Sequence, residues 1–521
     1  MTQIVQAGQV NLTAQVVPDL IIQLIPPPVQ INGVPSNLCG IVGTAQWGPV
    51  GAPVVFGNMA QYWQNFGNIQ NRKYDMGTAA AAAVMQGANN FRGVRVTDGT
   101  DLAATATLKD GASAIGLTLT SKYTGSLANS DTATIAVGTQ VNSWKLILAR
   151  AGMTPEVFDN IGGGANPLTG APLWAALANA VNNGVAGQRG PSGLMVAATG
   201  ASVAAPVASS VTLAGGADGA TTITGATLLG TDGNTRKGMY SLRGTGCSVA
   251  ILVDCDDSTT YAAQVAYGLS EETYMIGVTP AGDSPSTAAT NKATAGIDSF
   301  AFKLMLGDWV YWNDTVNGLV RMISPQGFVA GYLVNQSPQL SALNKPLQGI
   351  VGTQRSYANN PYSNPELTVL GQAGIDVICN PCPGGSFFGC RFGHNTSSNQ
   401  AIYGDNYTRM TNYLATTFAA GMGKFVGQLQ STQPNDPWRR GVKSTLDNYL
   451  QNMASPPGQT PAMIDSFNTQ CDLNNNPPAQ IAAGWGQADV QVKYLSVVEK
   501  FLVNLQGGQT VQITRASTTS A

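Results

Sequence analysis

The fold class is indicated by the run Val249-Ala250-Ile251-Leu252-Val253, followed by Tyr261 to Tyr267 and then Met275-Ile276-Gly277-Val278. The first and last of these runs are short and apolar, which predicts strands. The segment between them has a helical pattern and follows a polar loop. Strand and helix therefore alternate, which favours an α/β layer from about residue 238 onward.

Upstream of this stretch, residues 101 to about 214 are rich in Thr, Ala, Ser and Gly. Short alternating runs such as Leu117-Thr118-Leu119 and Thr134-Ile135-Ala136-Val137 predict strands. One helix is predicted over Leu173 to Asn183, where Ala and Leu dominate. We expect an inserted β-rich domain here.

Downstream, Asp436 and Pro437 supply an N-cap and a first-turn proline for a helix. Its apolar residues follow helical spacing: Trp438, Val442, Leu446, Tyr449, Leu450 and Met453. Three basic residues fall largely off that stripe and predict a basic outer face: Arg439, Arg440 and Lys443. A solvated helix surface is the simplest interpretation.

Both chain ends carry alternating apolar residues that predict terminal strands. The N-terminal set precedes a stiff, proline-rich linker and comprises Val10, Leu12, Ala14 and Val16. The C-terminal set precedes a polar tail and comprises Val490, Val492, Tyr494, Phe501, Val503, Leu505, Val511 and Ile513. A lone terminal strand needs a sheet with an open edge. Strand addition between subunits is one interpretation, and folding back onto the same domain is the other.

The composition narrows the function classes. Of 521 residues, 10% are charged and 43% are hydrophobic, whereas soluble domains carry roughly 25% charged residues. A surface so weakly charged suits a subunit that packs against its own copies. A net charge of −2 with scattered basic residues gives no nucleic-acid-binding footprint. Because signal-peptide and bilayer-spanning patterns are absent, we expect synthesis in a cytosol and no membrane partner.

Histidine-dependent catalysis would have to be built around His394, the only histidine. No convincing nucleophile-elbow pattern accompanies it, so we predict no catalytic residue and no cofactor. The spacing Cys379-x2-Cys382-x7-Cys390-x3-His394 does supply the four N and S ligands that tetrahedral zinc prefers. The second half of that spacing is unusual, and disulfide or free-thiol roles and inert packing are the alternatives.

Two further patterns could bind a ligand but are more simply explained by structural roles. Asp254-Cys255-Asp256-Asp257 follows an apolar strand, where it can bind a cation or, more simply, form a loop with a capping Asp. Gly421-Met422-Gly423-Lys424 lacks the leading glycine of a phosphate-binding loop, because Phe418 stands in its place. We therefore do not expect ATP-driven work.

An ordered series of short motifs runs along nearly the whole chain. They are Gly40 to Pro49, Pro53-Val54, Tyr62 to Gly67, Met76 to Gln86 with Val94 to Val96, Tyr123 to Ser126 with Asn129, Leu213 to Gly219, Ile323 to Gly327 with Ala330-Gly331, Gly374 to Ile378, Asn435-Asp436, and Phe467 to Asp472. Each motif alone is weak, but the series resembles the contractile tail sheath proteins of phages and related injection machines. The run Gly389 to His394 departs from the Gly-x-Arg-Thr type run that the family usually carries there.

The resemblance implies a multidomain α+β or α/β fold, with an α/β core built from both chain ends around a tail tube. Terminal arms would complete a small sheet in a neighbouring subunit, through Val10, Leu12, Ala14, Val16, Val511 and Ile513. The expected units are an N-terminal arm strand and proline linker (1–28), the first part of the core (29–100), the β-rich outer domain (101–214), an α/β domain (215–345), a C-terminal core domain facing the tube (346–506), and a C-terminal arm and polar tail (507–521).

The implied function is that of a structural subunit that polymerises helically around the tail tube and contracts to drive it through the host envelope. Its partners would be its own copies, the tube protein, and baseplate and tail terminator proteins, in the virion tail after synthesis in the host cytoplasm. Arg439, Arg440 and Lys443 would face the tube, and Cys39, Cys255 and Cys471 would crosslink subunits by late oxidation. The alternatives are another tail component (tube or baseplate) and an α/β enzyme with a β insertion.

Overall fold

The computed structural model describes residues 4–7, 21–24, 31–454 and 462–507. The elements up to residue 95 are β1 (Ile4–Ala7), β2 (Ile21–Leu24), β3 (Cys39–Gly43), β4 (Pro53–Phe56), α1 (Met59–Phe66), α2 (Met76–Met85) and β5 (Phe91–Arg95). β1 and β2 pair in parallel with each other. α2 begins where the Asp75 carboxylate accepts a hydrogen bond from the Thr78 amide at 2.9 Å. It spans most of the motif Met76 to Gln86.

The β-rich region contains two small sheets and one helix, α3. Its elements are β6 (Thr105–Lys109), β7 (Ile115–Ser121), β8 (Thr132–Val137), β9 (Trp144–Ala149), β10 (Glu156–Ile161), α3 (Gly170–Asn183), β11 (Met195–Thr199) and β12 (Ser209–Thr212). The sheet orders are β10-β9-β8-β12 and β11-β7-β6. Leu117, Leu119, Ala133 and Ile135 alternate into one buried cluster with Trp174 of α3, as their spacing predicts. The helix predicted over Leu173 to Asn183 is confirmed.

Helices and strands then alternate, as the sequence predicts. The elements are α4 (Gly225–Leu229), β13 (Val249–Leu252), α5 (Tyr261–Ser270), β14 (Tyr274–Val278), α6 (Pro285–Thr294), β15 (Phe302–Met305), β16 (Val310–Asp314), β17 (Leu319–Ile323), α7 (Gln326–Asn335), β18 (Ile350–Thr353), α8 (Gln354–Tyr357), α9 (Asn364–Ala373), β19 (Ile375–Asp376), β20 (Ile378–Cys379) and β21 (Gly389–Cys390). Strands β17, β16 and β18 form a small antiparallel sheet, and β20 pairs with β21.

The centre of the molecule is a seven-stranded sheet in the order β19-β15-β14-β13-β3-β5-β4. All neighbours in it are parallel except the edge strand β4. Ile41, Ile251 and Ile276 point into one hydrophobic cluster, shared with α2 and α7. Val42 and Leu252 point into another on the opposite face, shared with α5 and α9. A parallel sheet covered on both faces explains why its strands are continuously apolar and confirms the α/β prediction.

The last described part of the chain packs two long helices against a hairpin. Its elements are α10 (Asp405–Met422), α11 (Pro437–Ala454), β22 (Ile464–Gln470), α12 (Pro478–Ala482) and β23 (Asp489–Tyr494). β23 pairs antiparallel with β22, with Val492 opposite Phe467. The predicted strand at Val490 to Tyr494 therefore forms, but its partner lies in the same chain. None of the described helices combines the length and apolarity that crossing a membrane requires.

Candidate assembly site

The β22–β23 hairpin has an unpaired edge on each strand, as far as the described residues show. Between β23 and α10 lies a groove of about 1070 Å³, lined by Leu414, Phe418, Val490 and Val492 among others. An open strand edge offers backbone hydrogen bonds, and the adjacent groove, lined by both apolar and polar side chains, can receive the side chains of an added strand. This combination can accept an extended segment.

The chain that follows β23 forms no strand through Gly507 and is exposed from Val498 onward. Phe501, Val503 and Leu505, predicted to belong to a terminal strand, pair with no strand of the described chain, and their pairing in a neighbouring subunit stays a prediction. The exposed fraction is 86% for Phe501 and 90% for Leu505. Large apolar side chains so exposed mark an interaction surface. The predicted arm residues Val10, Leu12, Ala14, Val16, Val511 and Ile513 lie outside the described residues.

The C-terminal segment, residues 495–507, contacts the rest of the described molecule, here called the body, through Glu499. Its Oε1 lies 3.1 Å from Nε2 of His394, and its Oε2 accepts a hydrogen bond from the Tyr403 hydroxyl at 2.5 Å. The ring centroids of His394 and Tyr403 are 3.9 Å apart. Sequence reasoning missed this contact, because no local pattern links residues 105 positions apart.

The sequence motif of three cysteines and His394 does not form a zinc site. Cys379, Cys382 and Cys390 lie close together where β20 meets β21, but the His394 ring contacts Glu499 instead. Cys382 Sγ donates to the Cys379 carbonyl at 3.3 Å. No metal-binding group of three His, Cys, Asp or Glu side chains occurs in the described ranges, so the zinc interpretation is wrong.

The three cysteines predicted to crosslink subunits are buried inside the chain. Cys39 and Cys255 belong to the clusters on opposite faces of the central sheet. Cys471 packs beneath α11 with Val442. All seven cysteines are free and buried. Because a buried thiol cannot reach a thiol of another molecule, burial contradicts the crosslinking prediction.

The predicted basic face of α11 has to be reduced by one residue. Arg439 is only 1% exposed, and its guanidinium donates to the carbonyl groups of Ser431, at 2.7 Å, and Gln433. Arg440 and Lys443 are exposed as predicted. The signal was available in the sequence, since Arg439 precedes Val442 by three positions and so continues the apolar stripe.

This architecture matches solved protein structures, although no sequence comparison finds a relative. No family model and no curated protein sequence matches the chain. The sheath tail protein of Listeria innocua matches with a TM-score of 0.58 at 13% identity, covering 88% of this chain and 94% of that chain. The sheath tail protein of Desulfitobacterium hafniense matches with a TM-score of 0.56 at 14% identity, covering 87% and 93%.

A third structure, the contracted sheath complex of the extracellular contractile injection system PVC, has a TM-score of 0.51 at 9% identity. It covers 95% of this chain and 99% of that chain. At such identities the agreement concerns the fold, and it extends over nearly the full length of both chains. The mixed architecture around a seven-stranded sheet, with its β-rich insertion and C-terminal hairpin, is the fold of contractile tail sheath proteins.

Proposed function

We propose that this chain is the structural subunit of a contractile tail sheath, which polymerises helically around a tail tube. The observation that carries the proposal is the agreement in fold with sheath proteins over nearly the whole chain. The ordered motif series of the sequence supports it independently. The role is mechanical, and we assign no catalytic residue or cofactor to it.

Subunits would be linked by strands donated from the chain ends. The open edges of β22 and β23 and the groove lined by Phe418 and Val492 support this proposal, because they offer pairing that the described chain does not use. The donors would be the alternating residues Val10 to Val16 and Val511 with Ile513. Main-chain hydrogen bonds would then supply the affinity, and the groove would supply the register.

Each subunit would turn as a rigid body during contraction. The buried Arg95 guanidinium supports this, since it donates to the carbonyls of Gly48 at 2.8 Å, Thr124 at 2.7 Å and Asp218 at 3.0 Å. The Asp218 carboxylate in turn accepts from Arg72 at 2.6 Å. These contacts tie the first part of the core (29–100) to Thr124 inside the β-rich unit, for which we keep the boundaries 101 and 214, and to Asp218 just beyond that unit.

The tube would face the C-terminal unit, for which we keep residues 346–506. Arg440 and Lys443 are the basic side chains that α11 exposes, and they would meet acidic groups of the tube protein. Lys443 also donates to Asp447 at 2.9 Å, which leaves Arg440 as the stronger candidate. Baseplate and terminator proteins would cap the ends of the helix in the virion tail.

Negative-stain microscopy of the purified chain tests the proposal, because a sheath subunit forms wide, striated helical tubes. A tube protein would form narrow, smooth tubes, and an enzyme with this fold would form neither. Deleting residues 1–17 should leave a folded chain that fails to polymerise. Deleting the polar residues 516–521 is the control and should preserve assembly. Normal tubes from the 1–17 deletion would refute strand donation.

A further inference from the structure

One carboxylate of the C-terminal segment is held by two side chains of the body. Glu499 Oε1 lies 3.1 Å from Nε2 of His394, and Oε2 accepts from the Tyr403 hydroxyl at 2.5 Å. The His394 side chain is 9% exposed and that of Glu499 is 28% exposed. Both carboxylate oxygens are engaged, and hydrogen bonds to an ionised carboxylate are charge-assisted.

Both groups that contact the Glu499 carboxylate, the His394 imidazole and the Tyr403 hydroxyl, carry a hydrogen that they can donate. A carboxylate only accepts, so the imidazole must carry a hydrogen on Nε2, while Nδ1 is buried with no partner in the described chain. Burial, followed by the hydrogen bond to Glu499, raises the pKa of the Tyr403 hydroxyl to about 12, so it remains a donor. The His394 carbonyl accepts from the buried Lys303 ammonium at 3.0 Å, which anchors this site to the central sheet.

Beyond β23, the C-terminal segment has few other polar attachments. The Leu495 carbonyl accepts from the Asn406 side chain at 3.0 Å. Within residues 495–507, this bond and the two at Glu499 are the hydrogen bonds to described side chains. Glu499 is the last of these anchors, and Phe501 and Leu502 immediately beyond it are 86% and 81% exposed.

We infer that Glu499 is a positioning residue: its clasp by His394 and Tyr403 fixes the point from which residues 501 onward leave the body towards a second copy of this chain. Only the destination of the segment rests on the proposed function; the clasp itself does not. From Glu499, Val511 is 12 residues away and reaches at most about 40 Å, whereas from Leu495 it is 16 residues away and reaches about 55 Å. The clasp thus shortens the tether and raises the effective concentration of the segment at its target.

Trypsin cleavage after Lys500 in the unassembled full chain measures the clasp. We expect Glu499→Ala to raise the cleavage rate about tenfold, with each rate divided by that of the denatured protein to remove the effect on the protease. Asn504→Ala, an exposed change in the same segment, should leave the rate unchanged. Glu499→Gln can still bond both partners, because its carbonyl can accept from His394 Nε2 while its amide donates to the Tyr403 hydroxyl oxygen, so it should stay within about threefold of the native rate.

The single histidine provides a second measurement. It reports the contact with Glu499 itself, so a variant that only made the C-terminal segment more mobile would not change it. In protein labelled with ¹⁵N-histidine, Glu499→Ala should remove the acceptor of Nε2 and shift the Nε2 resonance, whereas Asn504→Ala should leave it in place. Equal cleavage rates in the native and Glu499→Ala proteins, or the same Nε2 resonance in both, would overturn the clasp. Failure of the native chain to form tubes would instead refute the sheath function and leave the clasp standing.

Discussion

The Lys303 ammonium lies 2.6 Å from Oδ2 of Asp376, and neither side chain is exposed. Asp405, the first residue of α10, places Oδ1 3.1 Å from the same ammonium and also accepts from the Tyr274 hydroxyl at 2.6 Å. Lys303 lies on β15 and Asp376 on β19, two neighbouring strands of the central sheet. One buried lysine therefore joins two strands of the sheet to the start of α10.

Replacing Lys303 by Met should destabilise the protein strongly. The change leaves two buried carboxylates facing each other without a cation, and breaking a buried pair in this way costs about 3–5 kcal/mol. Urea unfolding followed by circular dichroism measures the loss. Lys493→Met removes the exposed pair with Asp465 and should leave the urea midpoint unchanged. Equal midpoint shifts in the two variants would contradict the structural role of Lys303.

Because of Asp75, we expect the free energy of unfolding to fall as the pH rises. Burial raises its pKa to about 6, against the opposing effect of the Thr78 hydrogen bonds, while the unfolded value is about 3.9. The folded state therefore binds the proton more tightly. The resulting stability is fully present below about pH 4 and is lost as the pH rises through about 6.

We expect the free energy of unfolding to fall by about 1 kcal/mol from this group between pH 5 and pH 7. Asp75→Asn should remove that part of the fall, because Asn still caps α2 but does not titrate. Burial also raises the pKa of Asp254 to about 6, so the double variant with Asp254→Asn should show the flattest dependence. Denaturant titrations at both pH values measure the free energy of unfolding. If both variants keep the pH dependence of the native protein, the raised pKa of Asp75 is refuted.

Local pattern was sufficient to predict the elements whose burial follows a simple period. The strand Val249 to Leu252 was predicted correctly because its residues are all apolar, and the helix over Leu173 to Asn183 because Ala and Leu dominate it. The strand Ile464 to Gln470 is mostly polar, so nothing marked it as the partner of β23.

Contacts between distant residues could not be predicted in the same way. A lysine inside the apolar strand Phe302 to Met305 does signal a buried acidic partner. Its partners, however, lie 73 and 102 positions away, and only the sheet order brings them together. The clasp at Glu499 depends on the same kind of long-range placement, whereas the open edge of β23 became visible only once its single partner strand was known.

Gly331 should be intolerant of a side chain. It lies on α7, where an added Cβ would sit 2.4 Å from Cα of Ala83 on α2, so the two helices would have to separate. We expect Gly331→Ala to cost about 1–3 kcal/mol, as overpacking does. Gly423→Ala is the matched control, because its Cβ would meet nothing within 4 Å. Thermal unfolding compares them, and a Gly331→Ala protein as stable as the control would contradict the close helix contact.

The seven thiols should resist modification in the folded chain. All are buried, and burial raises the pKa of Cys247 and of Cys471 to about 11, which suppresses the reactive thiolate. Titration with a thiol-specific disulfide reagent at pH 8 should find no fast-reacting group before denaturation and seven afterwards. Non-reducing gels of assembled particles should show monomers. A ladder of multimers would restore the crosslinking that burial contradicts.

Arg439 and Arg440 are adjacent on α11, but substitutions at the two positions should have different effects. A change at Arg439 should impair folding, and a change at Arg440 should impair assembly. Arg439→Met leaves the carbonyls of Ser431 and Gln433 without their buried donor, and we expect a loss of about 2–4 kcal/mol in urea unfolding. Arg440 is exposed, so Arg440→Met should change stability by less than about 0.5 kcal/mol. If Arg440 faces an acidic tube, Arg440→Glu should fold normally yet fail to assemble on purified tubes. Normal assembly of that variant would remove Arg440 from the tube contact, and a stable Arg439→Met protein would show that its burial is not needed for the fold.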